Sequence, residues 1–158
     1  TKAPRARLLE NVGNMRFLSE AIQKGWVRAA HDPSEGGLAV AAAEMSFGGG
    51  LGITLDLANA DVEDGMRDDE ILFSESLGRV LVEVEPEHEA DFVDYLSALQ
   101  VSIRKVGITS SEPRFRAEGQ MGDQLFDLAL EDCEAAWRAP LANGPIAAAR
   151  AAQAGDHA

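Results

Sequence analysis

Apolar residues recur along this chain at two different periods, and the switches between them mark its elements. Met15, Leu18, Ile22 and Trp26 fall at helical spacing, with Gly25 after the last turn. Residues 27–30 form a short apolar run, the pattern of a buried strand, and end in the turn-rich segment His31-Asp32-Pro33-Ser34-Glu35-Gly36-Gly37. Leu38, Ala41, Ala42 and Met45 then sit at i, i+3, i+4 and i+7, so a helix starts beside the two glycines. Gly48, Gly49 and Gly50 stop it.

The period changes to two at Leu51, Ile53, Leu55 and Leu57, which alternate with Gly52, Thr54 and Asp56 in the clearest half-buried strand of the chain. Residues 59–70 are acidic and polar, a loop with a short helix. A second strand is expected at 80–85, and Pro86 opens a helix with Phe92, Val93, Leu96 and Leu99 on one face. Val101 and Ile103 are out of phase with Val106 and Ile108, which requires a bulge or strand end near Lys105. Residues 114–118 and 124–128 flank Gly119 and Gly122 and predict a hairpin. Leu130, Cys133 and Trp137 define a last amphipathic helix. Trp26, Leu38, Met45 and Trp137 are expected to be buried, each on the apolar face of its helix. Helices and strands alternate but include a hairpin, so the expected fold is α+β, a mixed β-sheet flanked by helices. Residues 1–13 are assigned as a leader, 14–138 as the domain, and 139–158 as an Ala-rich tail that frays.

With 158 residues, 46% hydrophobic and 26% charged, the chain matches one soluble domain. No apolar run approaches the roughly 18 residues of a membrane helix, and the basic TKAPRAR start leads into no apolar stretch of a secretory signal. One cysteine, Cys133, cannot form an internal disulfide, and a cytoplasmic setting follows. A net charge of -13 opposes nucleic-acid binding, which needs a cationic face, yet leaves room for one small phosphorylated ligand held by backbone donors.

Two segments can carry chemistry. At 32–37 a strand ends, the chain turns at Pro33, and a helix opens on residues without side-chain bulk. The first turn of a helix leaves N–H groups unpaired and concentrates about half a positive charge there. Glycines at that point let an anion approach the backbone. The competing reading is that Ser34 caps the helix and the glycines only permit a tight turn. His31 either contacts a phosphate, positions Asp32, or ends its strand as a satisfied residue. The second segment is Phe73-Ser74-Glu75-Ser76, with two hydroxyls, a carboxylate for a cation or a substrate N–H, and Arg79 close behind. Its competing reading is a capped turn feeding a strand. One cysteine and three scattered histidines exclude a zinc site, and no nucleophile elbow supports a serine triad.

Taken in order, HDPSEGGLAVAAAEMSFGGGLG at 31–52, the acidic insert, LFSESLGRVLVEV at 72–84, the VGI strand and the late Trp137 resemble the C-terminal domain of the aminoimidazole-ribonucleotide-synthetase superfamily. The likeness is closest to the large, synthetase subunit of phosphoribosylformylglycinamidine synthase. It runs from about Asn14 to Trp137, and Glu35 stands where the family has aspartate as often.

The resemblance implies an ATP-dependent amidation in de novo purine synthesis. The formamide oxygen of formylglycinamide ribonucleotide is phosphorylated and ammonia displaces the phosphate. ATP and Mg²⁺ are the implied cofactors of the complete enzyme. A glutaminase subunit, a small accessory subunit and an N-terminal ATP-binding domain are the implied partners, and the fragment alone is expected to be inactive. The resemblance makes Asp32, Ser34, Glu35, Gly36 and Gly37 expected substrate or nucleotide contacts, with Ser74 and Glu75 beside them. No catalytic base is assigned. Replacing Gly37 with valine is expected to obstruct a phosphate and leave much of the fold intact. The alternatives within the superfamily are a selenophosphate synthetase, a thiamine-monophosphate kinase or a hydrogenase-maturation protein. The alternative outside it is a non-catalytic nucleotide-binding module.

Overall fold

The computed structural model describes residues 8–60, 62 and 65–142. Helix α1 (Leu8–Gln23) leads into strand β1 (Val27–His31), helix α2 (Gly37–Gly49) and strand β2 (Gly52–Asp56). A short 3₁₀ turn (Leu57–Asn59) follows, then helix α3 (Asp68–Phe73) and strand β3 (Leu81–Val84). Helix α4 (Glu89–Ala98) precedes β4 (Gly107–Ser110), β5 (Arg114–Glu118), β6 (Gln124–Ala129) and α5 (Leu130–Ala142). Most of the assigned tail lies outside the described residues.

The strands form two sheets. β1 and β3 make an antiparallel ribbon, and the larger sheet runs β4-β2-β5-β6. Within it β2 is antiparallel to β4 but parallel to β5, and β5 and β6 are the expected antiparallel hairpin. The fold is therefore α+β with a mixed sheet, as the alternation of periods implied, divided into a four-stranded sheet and a separate ribbon.

Each sheet has its own core. Ile53, Leu55 and Leu57 point from β2 and the turn after it toward Ala39, Ala42 and Ala43 of α2, with Ile71 and Leu72 of α3 sealing the edge. The second cluster joins Ala21 of α1 to Phe92 and Leu96 of α4 over the β1–β3 ribbon. At its rim Trp26 meets Tyr95 edge-on at 5.7 Å, and the Tyr95 hydroxyl donates to Glu20.

Local chemistry sets the boundaries. Gly50 closes α2 by donating its N–H to the Ser46 carbonyl at 2.8 Å. The Asp56 carboxylate caps the 3₁₀ turn through the Ala58 N–H at 3.0 Å. Glu70 accepts the Arg67 N–H at 3.0 Å, and Asp68, Asp69 and Glu70 place negative charge at the positive end of α3.

Several apolar faces differ from their sequence assignment. In α1 Met15 and Ile22 are each 48% exposed, while Phe17 and Ala21 face the core. In α2 the buried side is made of alanines and Ser46, and Leu38 and Met45 are only half-buried. Small residues let α2 approach its neighbours closely, so burial goes to side chains that a search for large apolar anchors passes over. Trp26 is half-buried, and Trp137 is 45% exposed. Strand β1 alternates between half-buried and exposed positions and is not fully buried. The phase change near Lys105 is a strand start. Gln100 turns the chain with φ 59, Val101 and Ile103 pack on the second cluster, and β4 begins only at Gly107.

Arg114 and Arg116 of β5 both reach Asp127 of the edge strand β6, at 2.7 and 3.1 Å. The hydrogen bond from Arg114, with the nearby Arg116, holds the Asp127 carboxyl below the usual carboxylate range. A depressed folded-state pKa adds stability that is present above the unfolded value, about 3.9, and is lost as pH falls through the folded value. Asp127→Asn should therefore lose stability at neutral pH and show a flatter decline below about pH 4 in urea titrations. Parallel acid limbs in the two proteins would contradict this. Leu55 is fully buried, so Leu55→Ala should cost about 2–5 kcal/mol, and Met45→Ala distinctly less. Equal losses would place Met45 back in the core.

Candidate functional site

The two chemically suggestive segments meet in space. β1 ends at His31, the chain turns through Asp32 to Gly36, and α2 begins at Gly37. Across from it α3 ends at Phe73 and the chain leaves through Ser74 and Glu75. The Gly36 N–H donates to Glu75 Oε1 at 3.2 Å. A carboxylate of the chain itself thus takes the place at the first turn of α2 where an anion is favoured.

The glycines are required by the backbone. Gly36 and Gly37 have φ 83 and 64, in the left-handed region. A methyl on Gly37 would lie 2.7 Å from the Phe73 carbonyl carbon and 2.8 Å from the Ser74 oxygen, both main-chain atoms. The Gly37 N–H donates to the Ser34 carbonyl at 3.0 Å, which closes the turn. Ser34 thus shapes the turn through its carbonyl, and no side chain caps α2 at Gly36.

The two glycine N–H groups expected as anion donors therefore already have acceptors within the chain. Asp32, Ser34 and Glu35 are exposed around them. Ser74 is partly buried, and its Oγ is the one buried side-chain polar atom without a partner among the described residues. Such a hydroxyl costs about 1–3 kcal/mol of lost hydration that a ligand group reaching it would recover.

His31 contacts Glu44 of α2, Nε2 to Oε2, at 2.8 Å, and its Nδ1 lies 2.7 Å from the Asp32 carbonyl oxygen. Glu44 was passed over in the sequence, although a lone acid inside the apolar run AVAAAEMSF was a signal that it has a partner. Among the described residues one trio has metal-binding atoms close together, Glu85, Glu87 and His88. It lies at the far end of the β1–β3 ribbon, where Glu85 is paired with Arg28. The turn itself offers Asp32 and Glu35 as exposed carboxylates, too few to hold a divalent ion without further ligands. No helix among the described residues is long and apolar enough to cross a membrane.

A two-sheet α+β domain with a glycine turn facing a second loop is the architecture of a known class. The chain belongs to the family of the AIR synthase related protein, C-terminal domain, whose model matches residues 4–120. The phosphoribosylformylglycinamidine synthase subunit PurL of Synechocystis is 35% identical over 127 residues, which covers 77% of this chain and 15% of that protein. The chain thus spans less than a sixth of that relative's length. Phosphoribosylformylglycinamidine synthase II from Thermotoga maritima superposes with a TM-score of 0.70 at 24% identity, over 77% of this chain and 21% of that one. The same Thermotoga protein is known complexed with ATP, with FGAR, and in the assembly PurLQS. The hydrogenase maturation protein HypE of Escherichia coli shares the fold at a TM-score of 0.61 and 19% identity, over 73% of this chain and 39% of that one.

Gly37→Val does not separate site from fold, because any side chain there meets main-chain atoms. Even Gly37→Ala should destabilise the chain by about 2 kcal/mol or more, from the left-handed φ and the displaced backbone. A denaturant midpoint equal to wild type would show that α2 and the Ser74 segment are free to separate.

Proposed function

We propose that the chain is the C-terminal domain of the synthetase portion of a phosphoribosylformylglycinamidine synthase. In this reading it takes part in the ATP-dependent conversion of formylglycinamide ribonucleotide to the amidine in purine biosynthesis, in the cytoplasm. The observation that carries it is the meeting of the glycine turn with the Ser74–Glu75 segment at Gly36, in a chain 35% identical to a PurL subunit. The 19% identity to the hydrogenase maturation protein supports kinship of fold only.

The reaction needs a poor leaving group, the amide oxygen, to be phosphorylated before ammonia displaces it. ATP with Mg²⁺ supplies that phosphoryl group and offsets its charge. In the proposed division of labour an N-terminal domain holds ATP and the metal ion, which fits the small number of carboxylates at the turn described above. A glutaminase subunit provides ammonia and a small accessory subunit completes the assembly. The turn of this chain binds a phosphate of substrate or nucleotide. Gly36 offers its N–H group, Gly37 with Asp32, Ser34 and Glu35 lines the approach, and Glu75 gives up Gly36 as the anion arrives. Glu75 and the Ser74 hydroxyl then face the bound molecule. A non-catalytic nucleotide-binding module would use the same turn without turnover.

Two measurements test this. Titration with inorganic phosphate should shift the Gly36 amide resonance, and Glu75→Ala, which removes the internal competitor, should tighten that binding several-fold. The 158-residue chain alone should release no ADP from ATP in the presence of formylglycinamide ribonucleotide, Mg²⁺ and ammonia. A Gly36 resonance indifferent to phosphate in both proteins would refute the anion turn, and substrate-dependent turnover by this chain would refute the division of labour.

A further inference from the structure

Trp137 is a large aromatic residue left 45% exposed on α5, so burial alone does not explain its placement. Its ring is held on two sides, by Phe47 at a centroid distance of 5.8 Å and by the Arg138 guanidinium at 5.5 Å. That arrangement aims the indole N–H at α2, where it donates to Glu44 Oε1 at 2.9 Å. The other oxygen of the same carboxylate meets His31 Nε2 at 2.8 Å, and His31 Nδ1 reaches the Asp32 carbonyl at 2.7 Å. A shallow depression of about 440 Å³ lies over this chain of contacts.

We propose that Trp137, Glu44 and His31 form a positioning chain through which α5 fixes the start of the turn at 32–37. The topology gives the chain its leverage. His31 is the last residue of β1, and Glu44 lies two helical turns into α2, so their contact clasps the elements on either side of the turn. A loop whose ends are tied has fewer conformations to lose when it binds, and the main-chain donors near Gly36 are held in place before a ligand arrives. Glu44 also explains itself: an acid in an apolar helix is tolerated because both its oxygens are engaged. Both partners of His31 are oxygen atoms, the Glu44 carboxylate on Nε2 and the Asp32 carbonyl on Nδ1, so the ring is engaged at both nitrogens. None of these residues touches a ligand in this scheme; each acts through the next.

The clasp is a property of the unliganded turn, so it can be tested whether or not the turn binds phosphate. Trp137→Phe keeps a smaller ring on the Phe47 side and removes the indole N–H. In ¹⁵N-labelled full chain, its Asp32, Ser34, Glu35 and Gly36 amide signals should shift or broaden while those of the β5–β6 hairpin stay in place. Exchange of the Gly37 amide, which is bonded to Ser34, should speed up by about fivefold or more. Glu44→Ala should do the same. Glu44→Gln can still accept from Trp137 and can donate to His31, so it should restore slow exchange. If Trp137→Phe and Glu44→Ala both leave the turn signals and Gly37 exchange at wild-type values, Trp137 only docks α5 and the proposal is wrong. If Glu44→Gln leaves the turn as disturbed as Glu44→Ala does, Glu44 acts through its charge and not through this chain of hydrogen bonds, and the proposal is likewise refuted.

Discussion

At Gly37 the first turn of α2 lies directly against the main chain leaving α3, closer than any side chain allows. That approach brings residues 32–37 and 73–76 together, aligns Glu75 with the Gly36 N–H, and lets the alanine face of α2 settle on β2. It needs three conditions at once: left-handed backbone at Gly36 and Gly37, a turn closed by the Ser34 carbonyl, and small residues along the buried side of the helix. The motif looks like a ligand-binding signature, but the same glycines are demanded by packing, so the two roles cannot be separated by substitution at Gly37. The proposed binding is better probed at Glu75, whose carboxylate meets the turn at Gly36, and at the buried hydroxyl of Ser74.

The sequence was most informative where period and turn chemistry agreed. The two-residue alternation at Ile53, Leu55 and Leu57 marks a strand that is buried on one side, and the glycines at 119 and 122 mark the β5–β6 hairpin. It was least informative about which helix face is covered. Large residues such as Met15 and Ile22 carry the strongest pattern signal, yet the packed positions of α1 are Phe17 and Ala21, and those of α2 are alanines, where close approach selects against bulk. For the candidate site, the two segments were legible one at a time. Their contact was not, since it joins residues 39 positions apart and depends on the path of α3. The contacts of Glu44 were hidden for the same reason: His31 ends a strand and Trp137 lies on a different helix.

The charge of -13 takes on a local meaning in the structure. Many of the cations are already engaged, as in Arg28 with Glu85, Lys105 with Glu89, Arg138 with Glu134, and Arg114 and Arg116 with Asp127. The glycine turn itself carries Asp32 and Glu35, and Glu75 meets it at Gly36. Attraction for an anion there rests on backbone N–H groups and the dipole of α2, which act over a short range and leave long-range steering unfavourable. A phosphorylated molecule would have to be delivered by contacts elsewhere and recognised here.

The parallel pairing of β2 with β5 bears on how the chain comes to be folded. Ile53 pairs with Phe115, and β2 stands between β4 and β5 in the centre of its sheet. During synthesis β2 emerges before β4 and β5 and must wait for both neighbours while α3, the ribbon strand β3 and α4 are being made. Loop closure over such a span is slow, and an unpaired central strand rich in Ile and Leu is an invitation to pair with the wrong chain. The order of elements that assembles the glycine turn thus leaves β2 unpaired until β4 and β5 have both been made.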